Sequence, residues 1–143
     1  MALTLDRNGR SLVVAGAVLF LAGLLQGFVV DQFANPRMAL SAHLDAVQSG
    51  MAVMLAGAFW STARWSRSVE SVARSTLAAG MVGLWGGITL AALTGASEAL
   101  PMAGEGFAAG PGAELATTAT IISSSIALAL GWGLFVVGLV RGR

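Results

Sequence analysis

The sequence predicts an all-α, polytopic membrane protein, four transmembrane helices packed as a bundle and forming one domain over residues 1–143. Three observations predict it. The chain is 56% hydrophobic and only 10% charged, against about a quarter charged in an ordinary soluble domain, and its mean hydropathy is +0.79. Four stretches each reach the roughly 20 apolar residues that cross a bilayer. Arginine is concentrated in alternate connections between them. The same composition speaks against an ordinary cytosolic enzyme and against a disordered chain.

The first span covers residues 11–30 and holds no charge. Arg7 and Arg10 before an apolar run also fit a signal peptide, but the run is longer than a signal core, and residues 31–37 lack a small-x-small cleavage pattern. The second span, about residues 38–61, contains Asp45 and the only histidine, His43. The third, about 75–97, and the fourth, about 115–140, are uncharged. Together the four leave no room for a soluble domain.

Short loops rich in Arg face the cytoplasm. Arg7, Arg10, Arg64, Arg67, Arg74, Arg141 and Arg143 lie in the tails and the second connection, seven of the eight cations. The first connection has only Arg37, and the third has three acids and no cation. This pattern predicts a multi-pass protein of the cytoplasmic (inner) membrane with both termini in the cytoplasm. A net charge of +1 gives no footing for nucleic acid; membrane lipid is the expected surrounding.

Helices in lipid associate where small residues let backbones approach. The first span has Gly23 and Gly27. The third places Gly80, Gly83, Gly87, Ala91 and Thr94 on one face, and the fourth Thr117, Thr120, Ser124 and Gly131. The second span is polar on two sides: His43, Gly50, Met54, Gly57 and Ser61 project one way, and Ser41, Asp45, Gln48 and Ala52 roughly the other. A charge at the bilayer centre costs at least ~2.5–3.5 kcal/mol. One face is therefore expected to meet the bundle interior and the other a second protomer, which predicts a homo-oligomer.

No Cys, Lys or Tyr occurs, which removes thiolate ligation, Schiff-base chemistry and tyrosine acid–base catalysis. His43 has a plain reading, a hydrogen bond to a loop carbonyl near the interface. Its neighbours point to another. Gly50 and Gly57, one and two heptads further along that face, would leave a flat slot, and Arg37 lies six residues upstream. A slot, an imidazole and a nearby cation suit a haem, with iron on His43 and a propionate on Arg37. With no second histidine and Met54 badly placed, the other axial position is expected to be open.

The run Asn35-Pro36-Arg37-Met38-Ala39-Leu40-Ser41-Ala42-His43-Leu44-Asp45-Ala46-Val47-Gln48-Ser49-Gly50 resembles the signature of the hydroxylaminobenzene mutase family, which is related to the styrene oxide isomerases. The four spans, the Trp85 region, the stretch at Pro101 to Gly104 and Glu114 extend the resemblance. It implies a membrane-embedded homotrimer in which haem b is bound through His43, with ferric iron acting as a Lewis acid in a redox-neutral rearrangement. The family has an Asn six residues after the histidine, where this chain has Ser49, and an Asn-Trp pair in the third span, where it has Leu84 and Trp85.

The expected reaction is conversion of a small aromatic substrate, an aryl hydroxylamine, to an aminophenol; the alternative is epoxide-to-aldehyde isomerisation of the styrene oxide type. Either needs a dry pocket with dipoles near the developing cation. Ser49 is the candidate for oxygen and Trp85 for the ring or, by cation–π attraction, for the cation. Ser49 equally suits helix packing, Trp85 the core or a lipid-facing position, and Asp45 a pairing with an Arg of a neighbouring protomer. The competing class is a non-catalytic haem-binding or transporter-like membrane protein.

Overall fold

The computed structural model describes residues 5–142; Arg143 of the predicted basic tail lies outside the described residues. Among the described residues the fold has four helices: α1 (Arg7–Gly27), α2 (Pro36–Ala58), α3 (Arg67–Thr94) and α4 (Pro111–Arg141). Short 3-10 turns at Val30–Gln32 and Trp60–Thr62 follow α1 and α2.

Each start has a local cause. Asp6 caps α1 by accepting from the Gly9 N–H at 2.6 Å. Asn35 caps α2 by accepting from the Met38 N–H at 3.1 Å, and Pro36 supplies a first-turn residue that needs no donor. Ser66 caps α3, and Gly95, at φ 77°, ends it in the left-handed region that favours glycine. The third helix begins at Arg67 instead of about residue 75, because the polar first turns carrying Arg67, Glu70 and Arg74 remain helical beyond the apolar stretch.

α1, α3 and α4 are long and apolar enough to cross a membrane. α2, at 23 residues, has the length but not the apolarity, since it carries Arg37, Ser41, His43, Asp45, Gln48 and Ser49. It is sheltered instead, packed along α1 on one side and α3 on another.

The α1–α2 seam is an antiparallel pairing of small residues. A Cβ on Gly16 would lie 2.6 Å from the Gly50 carbonyl oxygen, and one on Gly50 would lie 2.7 Å from that of Gly16. The α3–α4 seam is similar, with Gly87 against Ile121 and Gly131 against Leu77. The predicted small-residue stripes are thus helix contacts. Leu12, Leu19, Val53, Trp60, Leu77, Met81 and Phe135 fill one core region, and Met38, Ala42, Ile88, Ala92 and Ile121 the other. Val18, Leu25, Leu55 and Ile126 remain exposed on the outside, as suits an acyl-chain environment.

Candidate functional site

His43 stands on α2 where that helix crosses the end of α1. Its Nδ1 lies 2.7 Å from the carbonyl oxygen of Gly23, and the ring rests on Gly27, where an added Cβ would come within 2.9 Å of Cε1. With Nδ1–H donating to that carbonyl, the lone pair of the neutral ring belongs to Nε2. Nε2 has no hydrogen bond among the described residues and is not among the buried unpartnered atoms, so it is open. A backbone carbonyl that fixes one ring nitrogen while the other is free is the usual support of a metal-bound imidazole.

The slot expected beside this ring does not form within the protomer. Gly50 and Gly57 lie against Gly16 and Phe20, and against Val13, of α1, because backbones brought together by glycines fill the space that the missing side chains leave. Arg37 is also elsewhere than expected. It donates to the Glu105 carbonyl and sits 3.9 Å from the Glu105 carboxylate, with both side chains largely exposed. Its position in the first turn of α2 directs it to the loop after α3, not toward His43.

Ser49 donates to Asp45 Oδ1 at 3.2 Å, while Asp45 Oδ2 is buried without a partner. Trp85 donates from Nε1 to Gln26 Oε1 at 2.7 Å, and Gln26 Nε2 in turn donates to Thr89 Oγ1 at 3.2 Å. Trp85 also edges an apolar cleft of about 320 Å³ with Leu19 and Val82. Gly23 and Gln26 are neighbours on α1, so this helix ties the imidazole to the indole. Sequence reasoning missed Gln26; the signal was there, a lone carboxamide at the end of an otherwise apolar span.

The loop between α3 and α4 is held down as a cap over this end of the bundle. Glu114, buried in the first turn of α4, accepts from the Ser97, Glu98 and Ala109 N–H groups at 3.0–3.1 Å. Asn35 donates to the Ala103 carbonyl at 3.0 Å, and its own N–H reaches Ala92. Beneath the cap an apolar pocket of about 400 Å³ is lined by Ser41, Ile88, Leu100, Pro101 and Met102.

An all-helical membrane protein with one open imidazole, an apolar cleft and a capped end is the class defined by this geometry. The chain belongs to the styrene oxide isomerase family, whose profile matches residues 8–140. It is 34% identical over 132 residues to hydroxylaminobenzene mutase HabB of Ectopseudomonas oleovorans, covering 87% of this chain and 80% of the relative. Hydroxylaminobenzene mutase HabA of the same organism is 35% identical over 89 residues, covering 62% and 66%. No solved structure matches the chain. These names support an isomerase or mutase function on a small-molecule substrate.

Proposed function

We propose that the protein is a haem-dependent mutase that rearranges an aryl hydroxylamine to an aminophenol. The observation that carries this reading is His43, held at Nδ1 by Gly23 and open at Nε2. The donor set fits the group: a porphyrin brings its own four nitrogens and asks the protein for one, and Nε2 of His43 is free to be that one. Haem b, when bound, supplies a Lewis-acidic ferric centre.

The conversion is an isomerisation. The N–O bond breaks, a C–O bond forms at the ortho or para carbon, that carbon's hydrogen leaves as a proton while the nitrogen gains one, and no oxidant or reductant is consumed. The chain's own contribution is to hold and to exclude. Gly23 orients the imidazole, and Gly27 leaves room for it. Trp85, kept in place by Gln26, offers an aromatic wall to a ring in the adjoining cleft. The cleft beside Trp85 and the pocket under the loop offer apolar walls to an aromatic ring, and Ser49 with Asp45 places a polar pair on the other side of α2.

α2 is read as crossing the membrane with the other three helices, sheltered by a second copy of the chain along its Asp45 side. A trimer in the inner membrane, with both termini cytoplasmic, fits this reading. Arg7, Arg10, Arg64, Arg67, Arg74 and Arg141 all gather at one end of the bundle, which supports the orientation.

The family's name favours a second substrate class, an aryl epoxide opened to an aldehyde. An absorbance spectrum of purified protein beside His43→Ala, followed by product analysis with phenylhydroxylamine and styrene oxide, tests both. A Soret band lost in the variant and aminophenol from the parent are the expected results. Absence of the band after haem is added, or turnover of neither compound, overturns the proposal.

A further inference from the structure

The end of the bundle opposite the capped loop holds a polar cavity of about 430 Å³, lined by Asp6, Glu70, Arg64, Trp60 and Trp65. Its size is within the range of small-molecule sites. Two carboxylates are fixed there. Asp6 Oδ1 is engaged by the Gly9 N–H at 2.6 Å. Glu70 Oε1 is engaged twice, by Asn8 Nδ2 at 2.8 Å and Trp60 Nε1 at 3.0 Å. In each, the second oxygen has no hydrogen-bond partner among the described residues, and that of Glu70 is not among the buried unpartnered atoms.

Arg64 lines the same cavity. Its backbone is anchored by an N–H to the Gly138 carbonyl, but its guanidinium forms no ion pair among the described residues. The indoles of Trp60 and Trp65 lie 4.6 Å apart in the wall. The position is set by the fold: the start of α1, the end of α2, the start of α3 and the end of α4 meet here. With the helices crossing a bilayer as proposed above, this end lies at the level of the headgroups, where tryptophan concentrates in membrane proteins.

We propose that this cavity binds the headgroup of a phospholipid bearing a primary ammonium, of the phosphatidylethanolamine type. A primary ammonium carries N–H donors and no acceptor, so it complements the two free carboxylate oxygens. The phosphate one short arm away complements Arg64, whose planar fork suits phosphate oxygens. A quaternary choline has no N–H to donate, and a glycerol headgroup has no cation.

The test uses full-length protein, purified in detergent and stripped of lipid, then supplied with phosphatidylethanolamine, phosphatidylcholine or phosphatidylglycerol. Thermal stability and lipid retained on repurification are the two readouts. The ethanolamine lipid is expected to raise the melting temperature by several degrees more than the others and to be the one retained. Asp6→Asn keeps the α1 cap and removes one charge; Arg64→Gln removes the phosphate partner. Each is expected to lose more than half of the ethanolamine-specific shift. If Asp6→Asn does not fold, Arg64→Gln, which removes no side-chain hydrogen bond or ion pair among the described residues, still decides. Equal effects of the three lipids, retention of the preference in the variants, or the same shift from soluble glycerophosphoethanolamine would each overturn the proposal.

Discussion

The Nδ1 of His43 on α2 is joined to the carbonyl oxygen of Gly23 on α1 at 2.7 Å. In a regular helix that carbonyl would serve only the N–H four residues on, at Gly27, and at Gly27 the absence of a side chain makes room for the imidazole. The two glycines therefore act together, one supplying the acceptor and the other the space. This ties the ring's orientation to close approach of α1 and α2.

Gly27→Val places carbon where the His43 ring stands, since even a Cβ would come within 2.9 Å of Cε1. The ring must move and Nδ1 must leave Gly23. If His43 holds haem as proposed, the expected outcome is a haem content and turnover reduced at least about tenfold, as one lost hydrogen bond in a supporting shell costs, with little loss of expressed protein. Soret absorbance per mole of protein checks it.

Trp85→Phe keeps an aromatic wall but leaves Gln26 Oε1 buried without its donor. An unpaired buried acceptor costs about 1–3 kcal/mol, so the melting temperature should fall, and the double variant Gln26→Leu with Trp85→Phe should recover part of the loss. Thermal unfolding in detergent of the two single variants and the double variant measures the coupling.

Ser49→Asn restores the side chain found six residues after the histidine in the resembled family. A carboxamide can still donate to Asp45 Oδ1, as the serine hydroxyl does at 3.2 Å, and on its longer arm it adds a second donor beside a carbonyl acceptor. Higher turnover of phenylhydroxylamine is expected, whereas Ser49→Ala, which leaves both Asp45 oxygens unpaired, is expected to lower both turnover and stability. Initial rates at saturating substrate decide.

Glu114→Gln removes half of the oxygens that receive the Ser97, Glu98 and Ala109 N–H groups. One carboxamide nitrogen would then face N–H donors of its own kind. The loop over residues 95–110 should open to protease while the helices stay intact. Limited proteolysis followed by mass mapping reads this directly; cuts confined to the helices would contradict it.

Much of the fold was legible because a bilayer imposes one rule on the sequence. Each helix must carry its own backbone hydrogen bonds and an apolar exterior, so the apolar runs appear in the sequence almost as they appear in space. The helix ends were less legible: Arg67, Glu70 and Arg74 prolong α3 past its apolar part, and nothing in periodicity forbids polar turns from staying helical. At the candidate site, His43 was identifiable as the lone imidazole, but its plain reading as bound to a loop carbonyl missed the partner, which is the Gly23 carbonyl within α1; that bond leaves Nε2 for the proposed ligand role. The roles given to Arg37 and Gly50 were not legible, because a face drawn on one helix does not say which neighbour covers it.

By itself the sequence determined the helical membrane character, the gathering of arginine at one end, the single imidazole, and the resemblance that places the chain among isomerases. Only the tertiary structure decided that α1 fills the glycine slot of α2, that Gly23 holds Nδ1 and leaves Nε2 open, that Gln26 carries Trp85, and that Glu114 clasps the loop. The division has a physical cause. Apolarity and helix formation are set by residues near one another along the chain, whereas a hydrogen bond between residues 20 or 59 positions apart exists only after two helices have docked in one register.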